Sequence, residues 1–188
     1  MSQRPALTPE QERAVEMLDI PPQYRKWTLD DYSQAVRLAL APFLAGYRWS
    51  AFLCGGVGTR KTSLAAAMLR RWRVSGKPSG GAPYGEFVQP SRFTSLARDM
   101  DNGRVALASW RKASILVLDD VSAYRNTPHI VETLLLLLSA RYDDVRPTII
   151  TSNLRLPELA THLDPRIASR LQDGVCVDLG DVDTRGKA

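Results

Sequence analysis

Apolar residues along this chain follow two spacings in alternation. Short unbroken runs occur at Ala51-Phe52-Leu53-Cys54, Ile115-Leu116-Val117-Leu118, Thr148-Ile149-Ile150 and Val175-Cys176-Val177, with a shorter one at Glu86-Phe87-Val88. Segments apolar on both faces are what the strands of a parallel sheet require when helices cover both sides. Between them the spacing changes to that of helices. Thr8 caps a first helix, with Pro9 in its first turn and Gln11 three residues on from the cap; Ala14, Val15 and Leu18 form its apolar face and Pro21-Pro22 stop it. Tyr24 to Trp27 reads as extended. A second helix is expected to start near Asp30-Asp31 and to run through Val36, Leu38, Leu40 and Phe43, with Pro42 as a kink or end.

The helix after the first strand carries Leu64 to Leu69 and ends near Arg73, and Ser75 to Pro83 reads as a flexible loop by composition. Ser91 is expected to cap a helix through Phe93, Leu96 and Met100, which Asp101-Asn102-Gly103 breaks before a short helix with Val105, Leu107 and Trp110. The helix from Pro128 to Tyr142 is apolar on nearly every side, so it is expected between layers. Asp164 to Leu171 reads as a short helix that puts Arg166 and Arg170, four residues apart, on one face. The divisions expected are a short helical arm over residues 1–19, one domain over 20–180 and a frayed tail over 181–188.

Composition narrows the class. At 188 residues, 44% hydrophobic and 24% charged, the chain suits one soluble domain, and no apolar run is long enough to span a membrane. The first residues do not resemble a signal peptide, and Cys54 and Cys176 are expected as reduced, buried residues of a cytoplasmic protein. The net charge of +5 is uneven: residues 63–114 hold nine Lys/Arg against three Asp/Glu, whereas residues 115–188 hold eight against eleven. A basic middle points to a polyanionic partner.

The chemistry concentrates after the first strand. Gly55-Gly56-Val57-Gly58-Thr59-Arg60-Lys61-Thr62-Ser63 joins a buried strand to a helix start, the arrangement that aims free amides and a positive dipole end at phosphate. In G-x-x-x-x-G-K-[ST] loops the lysine reaches the β- and γ-phosphates and the hydroxyl holds magnesium, roles that fall to Lys61 and Thr62. Arg60 stands where that motif has glycine. Its Cβ is expected to crowd the amides, so that ATP binds weakly and glycine at position 60 would tighten binding; the opposite outcome would make Arg60 itself a phosphate ligand. Asp119-Asp120 closes an apolar strand, as the Walker B pair does: Asp119 for hydrated magnesium, Asp120 to orient or deprotonate the attacking water.

Taken together, Ile20-Pro21-Pro22-Gln23-Tyr24-Arg25, the loop through Ala67, Asp119-Asp120, Arg141-Tyr142, Pro147 to Asn153 and Arg166 to Leu171 resemble the DnaC/DnaI/IstB branch of AAA+ ATPases. The resemblance implies an α/β, three-layer P-loop NTPase fold of the ASCE type. It also implies a parallel five-stranded sheet in the order 5-1-4-3-2, with no separate lid domain. By the same resemblance Asn153 senses the γ-phosphate, and Arg170, or else Arg166, is the arginine finger offered to a neighbouring subunit. ATP and Mg2+ are the implied cofactors.

The implied partners are a hexameric, DnaB-like replicative helicase, single-stranded DNA and further copies of the chain through Arg170. Residues 87–114 match the region that touches DNA in loaders, where Arg92, Arg98, Arg104, Arg111 and Lys112 would follow phosphates. Phe93 or Trp110 would either stack on bases or, the stronger expectation, pack in the core. The loaders carry a separate helicase-gripping domain before this region, and here some twenty residues precede the matched segment. Two other functions therefore stand beside an ATP-dependent loader: an AAA+-shaped adaptor with little or no ATPase activity, favoured by Arg60, and an IstB-like transposition helper.

Overall fold

A computed structural model of the chain describes residues 7–75, 85–99 and 101–183. The expected loop of residues 75–83 beyond Ser75, the place of Met100, and the tail beyond Asp183 lie outside the described residues.

Five parallel strands form one sheet: β1 (Ser50–Cys54), β2 (Gly85–Val88), β3 (Ile115–Leu118), β4 (Thr148–Ser152) and β5 (Val175–Asp178), in the spatial order β2-β3-β4-β1-β5. This is the expected order 5-1-4-3-2. Alternate residues of the apolar runs feed two cores. Ala51, Leu53, Ile115, Val117 and Ile149 pack on one face with Leu40, Phe43, Leu64 and Met68, while Phe52, Leu116, Leu118 and Ile150 pack on the other with Trp110, Leu134 and Leu138. The first face is covered by α2 (Gln34–Leu44) and α3 (Lys61–Val74), and α1 (Pro9–Glu16) packs against α3. The second is covered by α4 (Pro90–Arg98), α5 (Asn102–Lys112), α6 (Pro128–Asp143), α7 (Leu156–His162) and α8 (Pro165–Gln172).

Several boundaries differ from the sequence expectation, each for a local reason. The first helix ends at Glu16, ahead of the prolines, and Leu18 is buried beyond its end. Pro22–Tyr24 is a 3-10 turn, so the segment before Trp27 is not extended. The acids at 30 and 31 do not start a helix: Asp31 accepts from the Thr28 amide at 2.8 Å and its hydroxyl at 3.1 Å, closing a 3-10 turn, and Ser33 caps α2 instead. Pro42 sits within the last turn of α2, which runs on to Leu44.

Gln89, with Pro90 after it, replaces Ser91 at the start of α4. Asn102 and Gly103, expected as a break, open α5; a Cβ at Gly103 would lie 2.2 Å from the Leu96 carbonyl, so the two helices approach through the missing side chain. Helix α6 buries most of its leucines but leaves Leu136 64% exposed. Cys54 is buried as expected, whereas Cys176 is exposed, because β5 is an edge strand on which Cys176 and Asp178 are uncovered.

Arg141 joins several elements at once. Fully buried on α6, it donates to the carbonyls of Trp110 (2.7 Å), Arg111 (3.2 Å), Ala113 (2.9 Å) and Pro147 (2.6 Å) and to Thr148 Oγ1 (2.8 Å). A cation at the C-terminal end of α5 meets carbonyls that the helix leaves unsatisfied, at the favourable end of its dipole.

Candidate functional site

The carboxyl ends of β1, β3 and β4 converge on the loop of residues 55–60, which leads into α3. The loop needs glycine where its backbone turns: Gly55 has φ +139°, and a Cβ there would fall 2.5 Å from the Gly180 carbonyl. The segment after β5 runs along this loop, with the Leu179 amide donating to the Cys54 carbonyl and the Gly56 amide to the Gly180 carbonyl, both at 2.8 Å. The Asp183 carboxylate lies beside Gly58, whose φ is +84°.

Lys61 is the first residue of α3 and is buried. Its Nζ donates to the carbonyls of Gly55 (2.8 Å) and Gly56 (2.6 Å) and to Thr59 Oγ1 (3.3 Å). Burial holds its pKa below the ordinary lysine value, and Asp120 and Asp119 oppose that shift. The ammonium is thus folded onto loop oxygens, close to the amides it would work beside.

Asp119 and Asp120 leave β3 in different environments. Asp119 is buried, and its Oδ1 accepts from Thr62 Oγ1 at 2.9 Å and Thr151 Oγ1 at 2.8 Å. Burial pushes its carboxyl above the usual range, and the two hydroxyls counter part of that rise. Asp120 has left-handed backbone at φ 41°, which turns its carboxylate toward the cavity. There it accepts from Ser122 Oγ (2.5 Å) and from Asn153 Nδ2 at both oxygens (3.1 and 3.0 Å). The Asp120 amide donates to Thr151 Oγ1 at 2.7 Å, and the Asn153 amide to Ser122 Oγ at 3.0 Å. Threonine and serine hydroxyls therefore tie the tips of β3 and β4 into one polar network.

Arg60 has φ 64° and ψ 28°, the left-handed conformation that glycine would take at this turn. A non-glycine residue there costs about 1–2 kcal/mol. The Tyr32 hydroxyl donates to its carbonyl at 3.2 Å, and its guanidinium lies 4.6 Å from the centre of the Trp27 ring. Cation–π attraction of this kind is worth roughly 0.5–2 kcal/mol, enough to offset much of the backbone cost. The Arg60 carbonyl starts α3, accepting from the Leu64 amide at 2.9 Å.

A cavity of about 590 Å³ unites these groups: Lys61, Thr62, Asp120 and Asn153 line it together with Gln23, Tyr24, Lys26, Trp27, Val57, Gly58, Arg60, Ser63 and Thr151. Asp119 joins through Thr62. Arg166 and Arg170 do not line it. Arg166 is paired with Asp164 (2.8 Å) and Arg170 donates to the Arg166 carbonyl (3.2 Å), both on α8.

The five cations expected to meet DNA are spread over α4 and α5. Arg92 is tied to Asp19 (3.0 Å) and Glu86 (3.2 Å), Arg98 borders a polar depression with Thr94 and Arg125, and Arg104, Arg111 and Lys112 are exposed. Phe93 and Trp110 are fully buried and stack on each other at 5.6 Å, so the core reading of these rings holds. Sequence reasoning did not single out Ser122, Trp27 or Tyr32. Ser122 follows Asp120 by two residues and offered a weak signal, whereas the two aromatics reach the loop only through the fold.

The oxygen pair of Thr62 and Asp119 suits a hard cation such as Mg2+, which takes one or two protein oxygens and completes its shell with water and phosphate. Among the described residues no group of three or more His, Cys, Asp or Glu side chains could hold a metal.

Comparisons with known proteins agree with this geometry. The family model for the bacterial DnaA ATPase domain matches residues 32–178. A chromosomal replication initiator protein DnaA from Synechocystis sp. is 28% identical over 139 residues, 71% of this chain, and the chain spans only about 30% of that relative's length. A DnaI crystal structure superposes with TM-score 0.74 at 20% identity, covering 92% of this chain and all of that one. The DnaC helicase loader gives 0.70 at 23% identity over 86% of this chain and all of that one. DnaA bound to AMPPCP and single-stranded DNA gives 0.69 at 19% over 85% of this chain and 50% of that one. With this sheet order, loop and family match, the chain belongs to the bacterial DnaA ATPase-domain family, with the three-layer AAA+ fold that DnaI and DnaC share.

Proposed function

We propose that this chain is an ATP-dependent helicase loader of DNA replication that hydrolyses ATP with Mg2+ and binds single-stranded DNA. The observation that carries the reading is the convergence of Lys61, Thr62, Asp119, Asp120 and Asn153 at the carboxyl ends of parallel strands, where such sheets bind ligands. Lys61 exchanges its loop carbonyls for phosphate oxygens, and the amides at the start of α3 cradle the same anion. Thr62 and Asp119 hold the magnesium ion, which when bound neutralises charge on the phosphates. Asp120 orients the attacking water: Ser122 and Asn153 occupy part of its accepting capacity and fix its rotamer, leaving lone pairs for the water. Arg170, outside the cavity, serves a neighbouring copy.

Arg104, Arg111 and Lys112 on α5 form the DNA contact, aided by Arg98, and the partner protein is a hexameric replicative helicase. Arg60 holds the left-handed conformation that glycine would take at this turn, which supports an ATP-dependent loader over an adaptor. The test is ATP binding and phosphate release by the chain and by Lys61→Ala and Asp120→Asn, followed by retention of a replicative helicase on single-stranded DNA with and without ATP. Binding lost in the first variant and hydrolysis lost in the second are expected. ATP-independent retention of the helicase would favour the adaptor.

A further inference from the structure

We infer that residues 179–183 form an acidic strap that closes on the phosphate loop and competes with the polyphosphate of a nucleotide, so that ATP binds only as the strap lifts. The inference rests on the nucleotide-binding reading above and gives that site a regulator within the chain. Two backbone bonds lay the strap along the loop, one from the Leu179 amide to the Cys54 carbonyl and one from the Gly56 amide to the Gly180 carbonyl, both at 2.8 Å. The second engages an amide of the glycine-rich loop, and such amides are the groups that cradle phosphate.

Further along, the strap sets two acids against the glycines of the loop. A Cβ on Gly56 would lie 3.1 Å from Asp181 Cα and 3.3 Å from its Oδ1, and one on Gly58 would overlap the Asp183 carboxylate. The missing side chains at these two positions are what admit the strap so closely. A carboxylate beside Gly58 repels an incoming polyphosphate and fills room next to the loop that would receive it. Residues 181–183 are exposed, so few contacts have to be broken for the strap to lift. Arg155 fastens it: Nε lies 2.7 Å from Asp178 and Nη2 3.0 Å from Asp181. This arginine follows Asn153, a residue of the cavity, by two positions, so the fastening begins at the tip of β4, within the site that it controls.

The experiment is isothermal titration of the whole chain with ATP and Mg2+, for the natural protein and for Asp183→Asn, Arg155→Met, the double variant Arg155→Met/Asp183→Asn, and Lys61→Ala. Apparent affinity is the intrinsic affinity scaled by the fraction of molecules with the strap lifted, so releasing the strap raises it. Asp183→Asn is expected to tighten ATP about fivefold and Arg155→Met about threefold. The arginine variant separates a strap from simple electrostatics: loss of a cation near a polyanion weakens binding by charge alone, whereas loss of a fastening tightens it. In the double variant the two gains should fall short of multiplying, because one strap is released only once. Tighter binding in Asp183→Asn with weaker binding in Arg155→Met would reduce the effect to charge and overturn the strap. Unchanged or weaker binding in both, with Lys61→Ala still defective, would overturn it too and leave the nucleotide site standing. Failure of Lys61→Ala to weaken binding, or no binding by the natural protein or either strap variant, would overturn the nucleotide reading itself and the strap with it.

Discussion

Asn153 Nδ2 stands 3.1 and 3.0 Å from the two carboxylate oxygens of Asp120, bridging the tips of β4 and β3. An amide that spans both oxygens fixes the plane of the carboxylate, and the carboxylate is the group assigned to water. Asn153→Ala should therefore lower ATP hydrolysis by about 10²-fold, the scale of one lost preorganised donor, while changing ATP affinity far less. Phosphate release at saturating ATP beside equilibrium binding separates the two. Equal losses in both would make Asn153 a binding residue only.

Asp119 links the site to stability. Its folded pKa is raised by burial, so the native state holds its proton more tightly than the unfolded chain does. Stability from this group is then present below the ordinary carboxylate value and is lost as pH rises through the raised one. Asp119→Asn keeps an acceptor for Thr62 and Thr151 and removes the buried charge. Urea denaturation should show the variant equal to the natural protein near pH 4 and more stable near pH 8, provided that no magnesium or nucleotide is added. A constant difference across that range would count against the assignment.

If α5 meets single-stranded DNA, affinity should fall steeply with salt, since each neutralised phosphate releases a counterion. Replacing Arg104, Arg111 and Lys112 by alanine should flatten the slope of log affinity against log salt by roughly two units or more. Arg92, already committed to Glu86 and Asp19, should contribute less to the slope than any of the three. Fluorescence anisotropy with a labelled oligonucleotide reads this directly, and an unchanged slope would move the contact elsewhere.

If the Arg170 guanidinium is offered to a neighbour's transition state, Arg170→Ala should leave ATP binding by the isolated chain nearly intact and lower hydrolysis. Mixing it with Asp120→Asn should restore part of the ATPase activity at interfaces that pair one intact finger with one intact carboxylate. No recovery over a range of mixing ratios would argue against a shared site.

Replacement of Arg141 by methionine should destabilise the fold by about 3 kcal/mol or more, since the carbonyls at the end of α5 and that of Pro147 lose their donor together. Chemical denaturation checks this value. A loss below about 1 kcal/mol would mean that the carbonyls find other donors.

Strands β1 and β3 were the most legible, because a doubly covered strand is apolar at nearly every position. The phosphate loop and the acidic strand end were legible as local motifs. Helix boundaries were less so: Asp31 could cap a helix or close a turn, and the choice fell to Thr28, whose amide and hydroxyl both bind it. Gly103 looks like a breaker along the chain and is a contact point in space, against Leu96. Helix α7 has little apolar periodicity to detect, with Leu159 its one buried residue. The pairing of Trp27 with Arg60 left no trace, because two residues 33 apart meet only after α2 and β1 are in place.

Arg141 is held through four carbonyls and a threonine hydroxyl among others, and these five acceptors stay neutral at any pH a protein survives. Ion pairs dissolve when their carboxylate takes a proton, whereas these five bonds do not depend on one. Acid should therefore loosen the periphery first and leave the seam among α5, α6 and β4 as the last to exchange its amide hydrogens with solvent.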